Sequence, residues 1–339
     1  MMIQIRIAGE VKMSGKYKAT ARAHSNIAFI KYWGNTNHDL RLASNSSISM
    51  NLRDLYTTTT VTWLPDLKSD TLTINGSTAE KIAIERVSHH LDIIRQQFDI
   101  RTFADIESEN NFPMGTGIAS SASSFAALTL ASITALGKSL PEKSLSMIAR
   151  RGSGSASRSI PSGYVEWIAG ESHETSYAEM FLDYDHWDLV DVIAIVSKQH
   201  KRTGSSAGHP TADTSILQDT RVRYADQRLQ QVKTAIQQRD FEQFAEVVEE
   251  DSNLMHAVMM TSQPPLFYWN PLSLDIIKSV REWRLKKGIQ VCYTLDAGPN
   301  VHCICVRDSV DVVINLLKNM SEDMELRTSP AGQGAYVIE

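Results

Sequence analysis

Residues 110–124 read NNFPMGTGIASSASS, and an apolar helical pattern continues from them to about residue 136. The chain has only 17 glycines in 339 residues, yet two fall in this stretch beside four serines. Small residues before a helix serve one of two ends. They let the helix pack closely against its neighbours, or they let backbone N–H groups approach an anion without obstruction. The first N–H groups of a helix have no intrahelical partner, and the helix dipole adds partial positive charge there. No lysine follows the glycines, so this is not the GxxxxGK[ST] pattern. Taken alone, the stretch leaves both readings open.

The rest of the chain limits what such a loop can serve. At 42% hydrophobic content and this length, a large core and two domains are expected. The net charge of −5 carries no concentrated basic surface, which argues against a nucleic-acid partner. An acidic protein that binds anions must then gather its cations locally. The three cysteines, Cys292, Cys303 and Cys305, fit a reducing cytoplasm and not a disulfide framework. The first residues lack the apolar stretch of a secretory signal, and no run approaches the length of a membrane span.

Strand-like runs are expected at 18–24, 57–63, 71–74, 101–108, 189–197, 289–296, 301–306 and 335–338. Helical spacing is expected at 82–98, 118–136, 142–151, 273–287 and 309–320, with one long amphipathic helix at 221–249. Strands and helices mix without strict alternation, which favours α+β over a doubly wound parallel sheet. The domain boundary is placed near 185–195. His302, Cys303 and Cys305 could suggest a metal cluster, but alternating strand residues point to opposite faces. Ordinary strand residues are expected there, and no protein-held metal.

Several segments resemble known signatures, in order along the chain. NNFPMGTGIASSAS resembles the phosphate-binding loop of the GHMP small-molecule kinase superfamily. AHSNIAFIKYWGN (23–35), RRGSGSASRSIPSGYVEW (150–167), DSNLMHAVMMTSQPPLFYWN (251–270) and TLDAGPNVH (294–302) resemble the four signatures of mevalonate diphosphate decarboxylases. The resemblance implies a two-domain GHMP-kinase-like fold. A ribosomal-protein-S5-like N-terminal domain with the phosphate loop would span 1–190, and a ferredoxin-like C-terminal domain 191–339. It also implies ATP and Mg2+, a phosphorylated mevalonate as substrate, and a homodimer.

The resemblance carries residue roles beside ordinary alternatives. Arg158 would grip the substrate carboxylate; by position alone it reads as a surface arginine in a polar loop. Asp296 would orient or deprotonate the 3-hydroxyl; an aspartate before Gly-Pro is also a common turn former. Lys31 and Tyr32 would meet the substrate with Asn26 nearby, although Tyr32 and Trp33 also suit a core. Arg86, Ser153, Ser155, Ser205 and Ser206 would hold the phosphorylated end; Arg86 could equally be a solvated helix charge. Asn110, Pro113, Gly115, Gly117, Ser120, Ser121 and Ser123 would hold ATP.

The chain departs from the family at two places that bear on charge. Asn35 stands where the signature IKYWGK has lysine, and Ser206 stands where some bacterial members carry arginine. Fewer cations imply a less charged substrate. The expected reaction is therefore ATP-dependent decarboxylation of mevalonate 5-phosphate to isopentenyl phosphate. The alternatives are mevalonate 5-diphosphate as substrate, or a 3-kinase that does not decarboxylate. His209 also replaces the family's usual methionine.

Overall fold

A computed structural model describes residues 17–112, 120–197, 204–321 and 324–338, and of Ser206 the backbone alone. Pro113, Gly115 and Gly117 lie outside the described residues.

Two long strands organise the first layer. β1 (Lys18–Ile30) leads through a small hairpin, β2 (Asn35–Asn37) and β3 (Leu42–Ala43), to β4 (Ser47–Leu64). β1 and β4 pair antiparallel along their length, with register shifts at His24/Ser25 and Ala28/Ile30. Such irregularities bend a strand and re-aim its side chains. They fall where β1 delivers Asn26 and Lys31. β4 shows why TTTTVTW folds as a strand: Thr57, Thr59, Val61 and Trp63 are buried while the residues between them are less so.

β5 (Thr71–Ile74), β6 (Ser77–Thr78), α1 (Lys81–Phe98) and β7 (Phe103–Asn110) follow, then α2 (Ser120–Ala135) and α3 (Glu142–Gly152). A 3-10 turn at Gly154–Ser159 leads to β8 (Tyr164–Ile168) and β9 (Tyr177–Leu182). α2 packs against β1, β4, α1 and α3 and is buried nearly all round. Ala122, Ala126, Ala127 and Ala131 are fully buried, so its small residues do serve close packing. Thr129 and Ser132 satisfy their buried hydroxyls on the carbonyls of Phe125 and Leu128, both at 2.6 Å.

The second layer begins at β10 (Leu189–Ile195). α4 (Ser205–Gly208), α5 (Gln218–Arg223), α6 (Ala225–Gln238), α7 (Phe241–Thr261) and α8 (Pro271–Lys287) come next. β11 (Val291–Thr294), β12 (Val301–Val306), α9 (Val310–Met320), β13 (Glu325–Pro330) and β14 (Tyr336–Val337) complete the order. β10 to β13 form an antiparallel sheet ordered β11-β12-β10-β13. Renumbered within the sheet this is 2-3-1-4, the ferredoxin-like order. The mixed α/β two-domain expectation therefore matches the architecture.

Three differences from the sequence expectations have physical causes. The single helix expected at 221–249 is broken. Arg239 adopts a left-handed conformation (φ 56°), and Asp240 caps α7 by accepting from the Gln243 N–H at 3.1 Å. β4 begins ten residues before the β-branched run, because SISMNLRDLY is covered by β1 and β8. The chain also returns at its end: β14 pairs with β1, while a cut at 190/191 falls inside β10. One core cluster joins the layers, packing Phe29, Ile48 and Leu52 against Ile193, Val232 and Phe244.

Candidate active site

A cleft of about 400 Å³ opens where the end of β1, the start of α2, the 3-10 turn and the β11–β12 loop converge. Lys31, Arg41, Arg86 and Arg158 line it with one carboxylate, Asp296. The chain as a whole carries −5, so these cations are gathered against the overall charge. A larger cavity, about 530 Å³, lies between α7 and α8, but Glu242, Glu246, Glu249 and Glu250 line it. Arg284, one of its two arginines, is already held by Glu249. That wall would repel an anion.

At the inner end of the cleft, Lys31 Nζ donates to Asp296 Oδ1 at 2.7 Å. The lysine side chain is 1% exposed and the aspartate 26% exposed, so of the pair the carboxylate is the more open to the cleft. Burial pushes the Asp296 carboxyl up, but Lys31, then His302 and Arg158, pull it down, and the net direction is below the ordinary aspartate value. The group is therefore a carboxylate at neutral pH. It suits orienting a hydroxyl and balancing charge better than strong proton abstraction.

Two consecutive residues of α7 hold both arms of this pair. Asp251 Oδ2 accepts the Lys31 backbone N–H at 2.6 Å. Ser252 Oγ accepts the Leu295 N–H, next to Asp296, at 3.0 Å. Asp251 is fully buried and paired with Arg228 at 2.8 Å. Arg221 reaches the carbonyls of Lys31 and Trp33 at 2.7 and 3.1 Å. Gln218 also donates to the Trp33 carbonyl, at 2.9 Å. The backbone that leaves β1 is thus fixed from the second layer. The segment DSNLMH does not by itself disclose this grip. The available signal was the run of polar residues on an otherwise apolar helix face.

Arg158 is buried and donates to Ser49 Oγ, Ser47 Oγ and Asn26 Oδ1 at 3.1, 2.6 and 3.3 Å. All three acceptors are neutral. Burial pulls its guanidinium down to about 10, with Asp296 and Tyr32 opposing. A buried cation without a carboxylate partner is costly unless an anion completes it. Arg158 is therefore no surface arginine. Asn26 also donates to the Ser155 carbonyl (3.1 Å) and Ser159 Oγ (2.8 Å), which ties β1 to the 3-10 turn. Gly154 permits that approach, since a Cβ there would sit 2.5 Å from the Tyr32 ring.

Tyr32 stacks against His209 with centroids 4.1 Å apart and meets Trp167 edge-on. Burial pushes its hydroxyl up to about 12, and the hydroxyl donates to Asn35 Oδ1 at 2.6 Å. Asn35 itself is buried behind Tyr32 and does not line the cleft. His209 does line it, and accepts the Gly34 N–H at 3.1 Å.

The remaining candidate residues divide. Ser120, Ser121, Ser153, Ser155, Ser205 and Arg86 line the cleft. Ser121, Ser153 and Ser155 form a chain of hydroxyls, spaced 3.1 and 3.2 Å, from α2 to the 3-10 turn. Ser123 points the other way: it is fully buried, with its hydroxyl 2.7 Å from Thr57 Oγ1. Asn110 accepts from the same Thr57 at 2.6 Å and lines a small neighbouring cavity. Ser206 lies in α4, and nothing is described of its side chain. Among the described residues no His, Cys, Asp and Glu cluster could hold a metal ion.

The helix-backed mixed sheet, the ferredoxin-like second layer and the cleft between them define a GHMP-kinase-like architecture. Residues 23–178 match the diphosphomevalonate decarboxylase-like N-terminal domain, and 191–333 match the mevalonate 5-diphosphate decarboxylase C-terminal domain. The diphosphomevalonate decarboxylase of Schizosaccharomyces pombe is 36% identical over 343 residues, spanning 95% of this chain and 87% of that protein. That of Ganoderma lucidum is 37% identical, spanning 93% and 85%. Among solved structures, the mevalonate diphosphate decarboxylase from Enterococcus faecalis superposes with a TM-score of 0.89 at 37% identity, covering 95% of this chain and 99% of that one. A complex with MVAPP, AMPPCP and magnesium superposes at 0.90, also 37% identical, with coverage of 95% and 99%. The chain belongs to the diphosphomevalonate decarboxylase family.

Proposed function

We propose that the protein decarboxylates mevalonate 5-diphosphate with ATP, giving isopentenyl diphosphate, CO2, ADP and phosphate. The observation that carries this is the inner cleft: an ionised Asp296 fixed by Lys31, facing a buried Arg158 that has only neutral partners. Arg158 binds the substrate carboxylate, and Asp296 orients the 3-hydroxyl as it is phosphorylated. The C3–O bond then breaks with its electron pair leaving on phosphate. The C1–C2 pair forms the alkene as CO2 departs. Hydroxide would be a poor leaving group, so phosphorylation must come first. The protein's part is to position groups and stabilise charge.

The donor set fits magnesium that arrives with the nucleotide: Ser120 and Ser121 offer hydroxyls at the start of α2, without a cage of carboxylates. Magnesium with ATP supplies charge neutralisation of the phosphates. In the same reading Asn110, Pro113, Gly115 and Gly117 belong to the nucleotide side, within a unit spanning 1–190. Tyr32, Asn26, Ser153, Ser155, Ser205, Ser206 and Arg86 belong to the substrate side, and 191–339 supplies Asp296.

The monophosphate expectation rests on cations missing at positions 35 and 206, and nothing is described of the Ser206 side chain. Asn35 turns to Tyr32 behind the cleft, while Arg41, which the sequence reading did not count, lines it. Charge supply therefore no longer favours the smaller anion, and the relatives carry the diphosphate name. The test supplies each substrate with ATP and magnesium and follows CO2 and ADP. CO2 mainly from the diphosphate supports the proposal. CO2 mainly from the monophosphate restores the earlier expectation, and ADP without CO2 makes the protein a 3-kinase.

Cytoplasmic location and a homodimer complete the reading. The three cysteines are buried and free, as a reducing compartment allows. No helix among the described residues is long and apolar enough to cross a membrane. Ile216 and Phe267, 89% and 72% exposed, lie on segments joined by the Gln263 N–H and Thr214, and offer an apolar contact. A monomer mass by light scattering would remove the dimer.

A further inference from the structure

The outer end of the cleft carries cations that no acid among the described residues balances. Arg41 and Arg86 both line it, and among the described residues neither has a carboxylate within ion-pair distance. Arg41 stands at the tip of the β2–β3 hairpin, in a left-handed conformation (φ 49°). The tip is tied down twice against the end of α3. Arg41 Nε donates to the Arg151 carbonyl at 3.0 Å, and Arg150 Nε donates back to the Leu40 carbonyl at 3.1 Å. Among the described residues, the terminal nitrogens of Arg41 make no hydrogen bond. The guanidinium is therefore aimed and held, yet its charge is unanswered. Arg86 projects from α1 into the same cleft and lies over the Phe125 ring at 5.2 Å. Two like charges held together cost energy in the empty protein. A multiply charged anion between them recovers it through charge-assisted hydrogen bonds.

We propose that Arg41 is a specificity residue that binds the terminal phosphate of the substrate's diphosphate, acting with Arg86. The assignment rests on the proposed function for the identity of the substrate. It does not rest on it for the anion, which the two unbalanced guanidiniums define. Arg41 would then distinguish the diphosphate from the monophosphate without touching the reacting carbon.

Two variants separate charge from scaffold. Arg41→Gln removes the charge but keeps a donor for the Arg151 carbonyl; Arg41→Lys keeps the charge. With mevalonate 5-diphosphate, R41Q is expected to raise KM about 10- to 100-fold, the range for losing a charged hydrogen bond, with kcat nearly unchanged. With the monophosphate, kcat/KM should change less than about threefold, and R41K should recover much of the lost affinity. Equal losses on both substrates would overturn the proposal and leave Arg41 as a hairpin anchor. No loss on either would make it a solvated charge. Calorimetry with inorganic pyrophosphate and orthophosphate reads the subsite independently of turnover. Wild type should prefer pyrophosphate, and R41Q should lose that preference; equal binding by both proteins would overturn the assignment. Wild-type protein that prefers pyrophosphate but releases no CO2 would remove the proposed function and leave the subsite standing.

Discussion

The two ends of the cleft are built on opposite principles. At the inner end, Lys31 and Asp296 hold each other, Arg158 is held by β1 and β4, and the backbone beneath them is gripped by Asp251, Ser252 and Arg221. At the outer end, Arg41 has one bond to a carbonyl and Arg86 a ring contact. The inner end resembles a folded core with charges in it. The outer end resembles a surface with charge facing inward. Bond-making needs groups fixed to fractions of an ångström. A phosphate tail needs charge and hydrogen-bond donors more than exact placement, and guanidiniums with unbonded terminal nitrogens supply both. Damage at the inner end should therefore cost turnover and stability, and damage at the outer end should cost affinity.

The sharpest break is Asp296→Asn. It keeps the shape but removes the charge facing the 3-hydroxyl, and kcat is expected to fall about a thousandfold. ATP and substrate binding, measured by calorimetry, should persist. Near-normal turnover in folded D296N protein would erase the distinction between the ends.

Asp251→Asn tests whether the inner end is part of the core. It leaves Arg228 buried without its partner and weakens the hold on the Lys31 N–H. A loss of about 3–5 kcal/mol is expected, read as a drop in denaturation midpoint. R41Q should shift the midpoint far less. Equal shifts would mean that the outer hairpin is as structural as α7.

Taken per unit of pH, the smallest effect is in protonation. His256 beside the inner pair and His90 beneath the outer end are both pushed down to about 3, first by burial, then by Lys31 and Arg151 respectively. Between the ordinary 6.5 and about 3, the unfolded chain binds protons that the folded one does not. Stability is thus full above 6.5 and falls as the pH drops, by about 1.4 kcal/mol per unit for each histidine. His90→Gln should flatten part of this slope in thermal melts. An unchanged slope would show that His90 does not stay neutral in the fold. Activity should not lose its carboxylate over the part of this window above the ordinary aspartate value of 3.8, because the Asp296 carboxyl is held below that value.

Much of this was legible in local pattern. The alternation in TTTTVTW marked β4, the helical spacing after Ile82 marked α1, and the small-residue run marked α2. The signature segments led to Lys31, Arg158 and Asp296, and the fold brings these three to one cleft although 265 positions separate the first from the last. The helix break at Arg239 was not legible, because a single left-handed residue leaves the apolar spacing intact on both sides. Nor was the division within the serine run. Ser121 faces the cleft and Ser123 faces Thr57, and nothing but the helix's rotation against the sheet sets which is which.

The sequence by itself determined the element types, the gathering of small residues at one helix start, and the family to which the chain belongs. These depend on short spacings and on residue chemistry that survive without a partner. Only the tertiary structure decided the state of each charge. Asn35 is a lost cation on paper and a hydrogen-bond acceptor for Tyr32 in the fold. Arg41 is an unremarked loop residue on paper and a cation of the cleft in the fold. Electrostatic roles depend on distance, burial and the count of neighbouring charges, and those quantities exist only once distant segments have met.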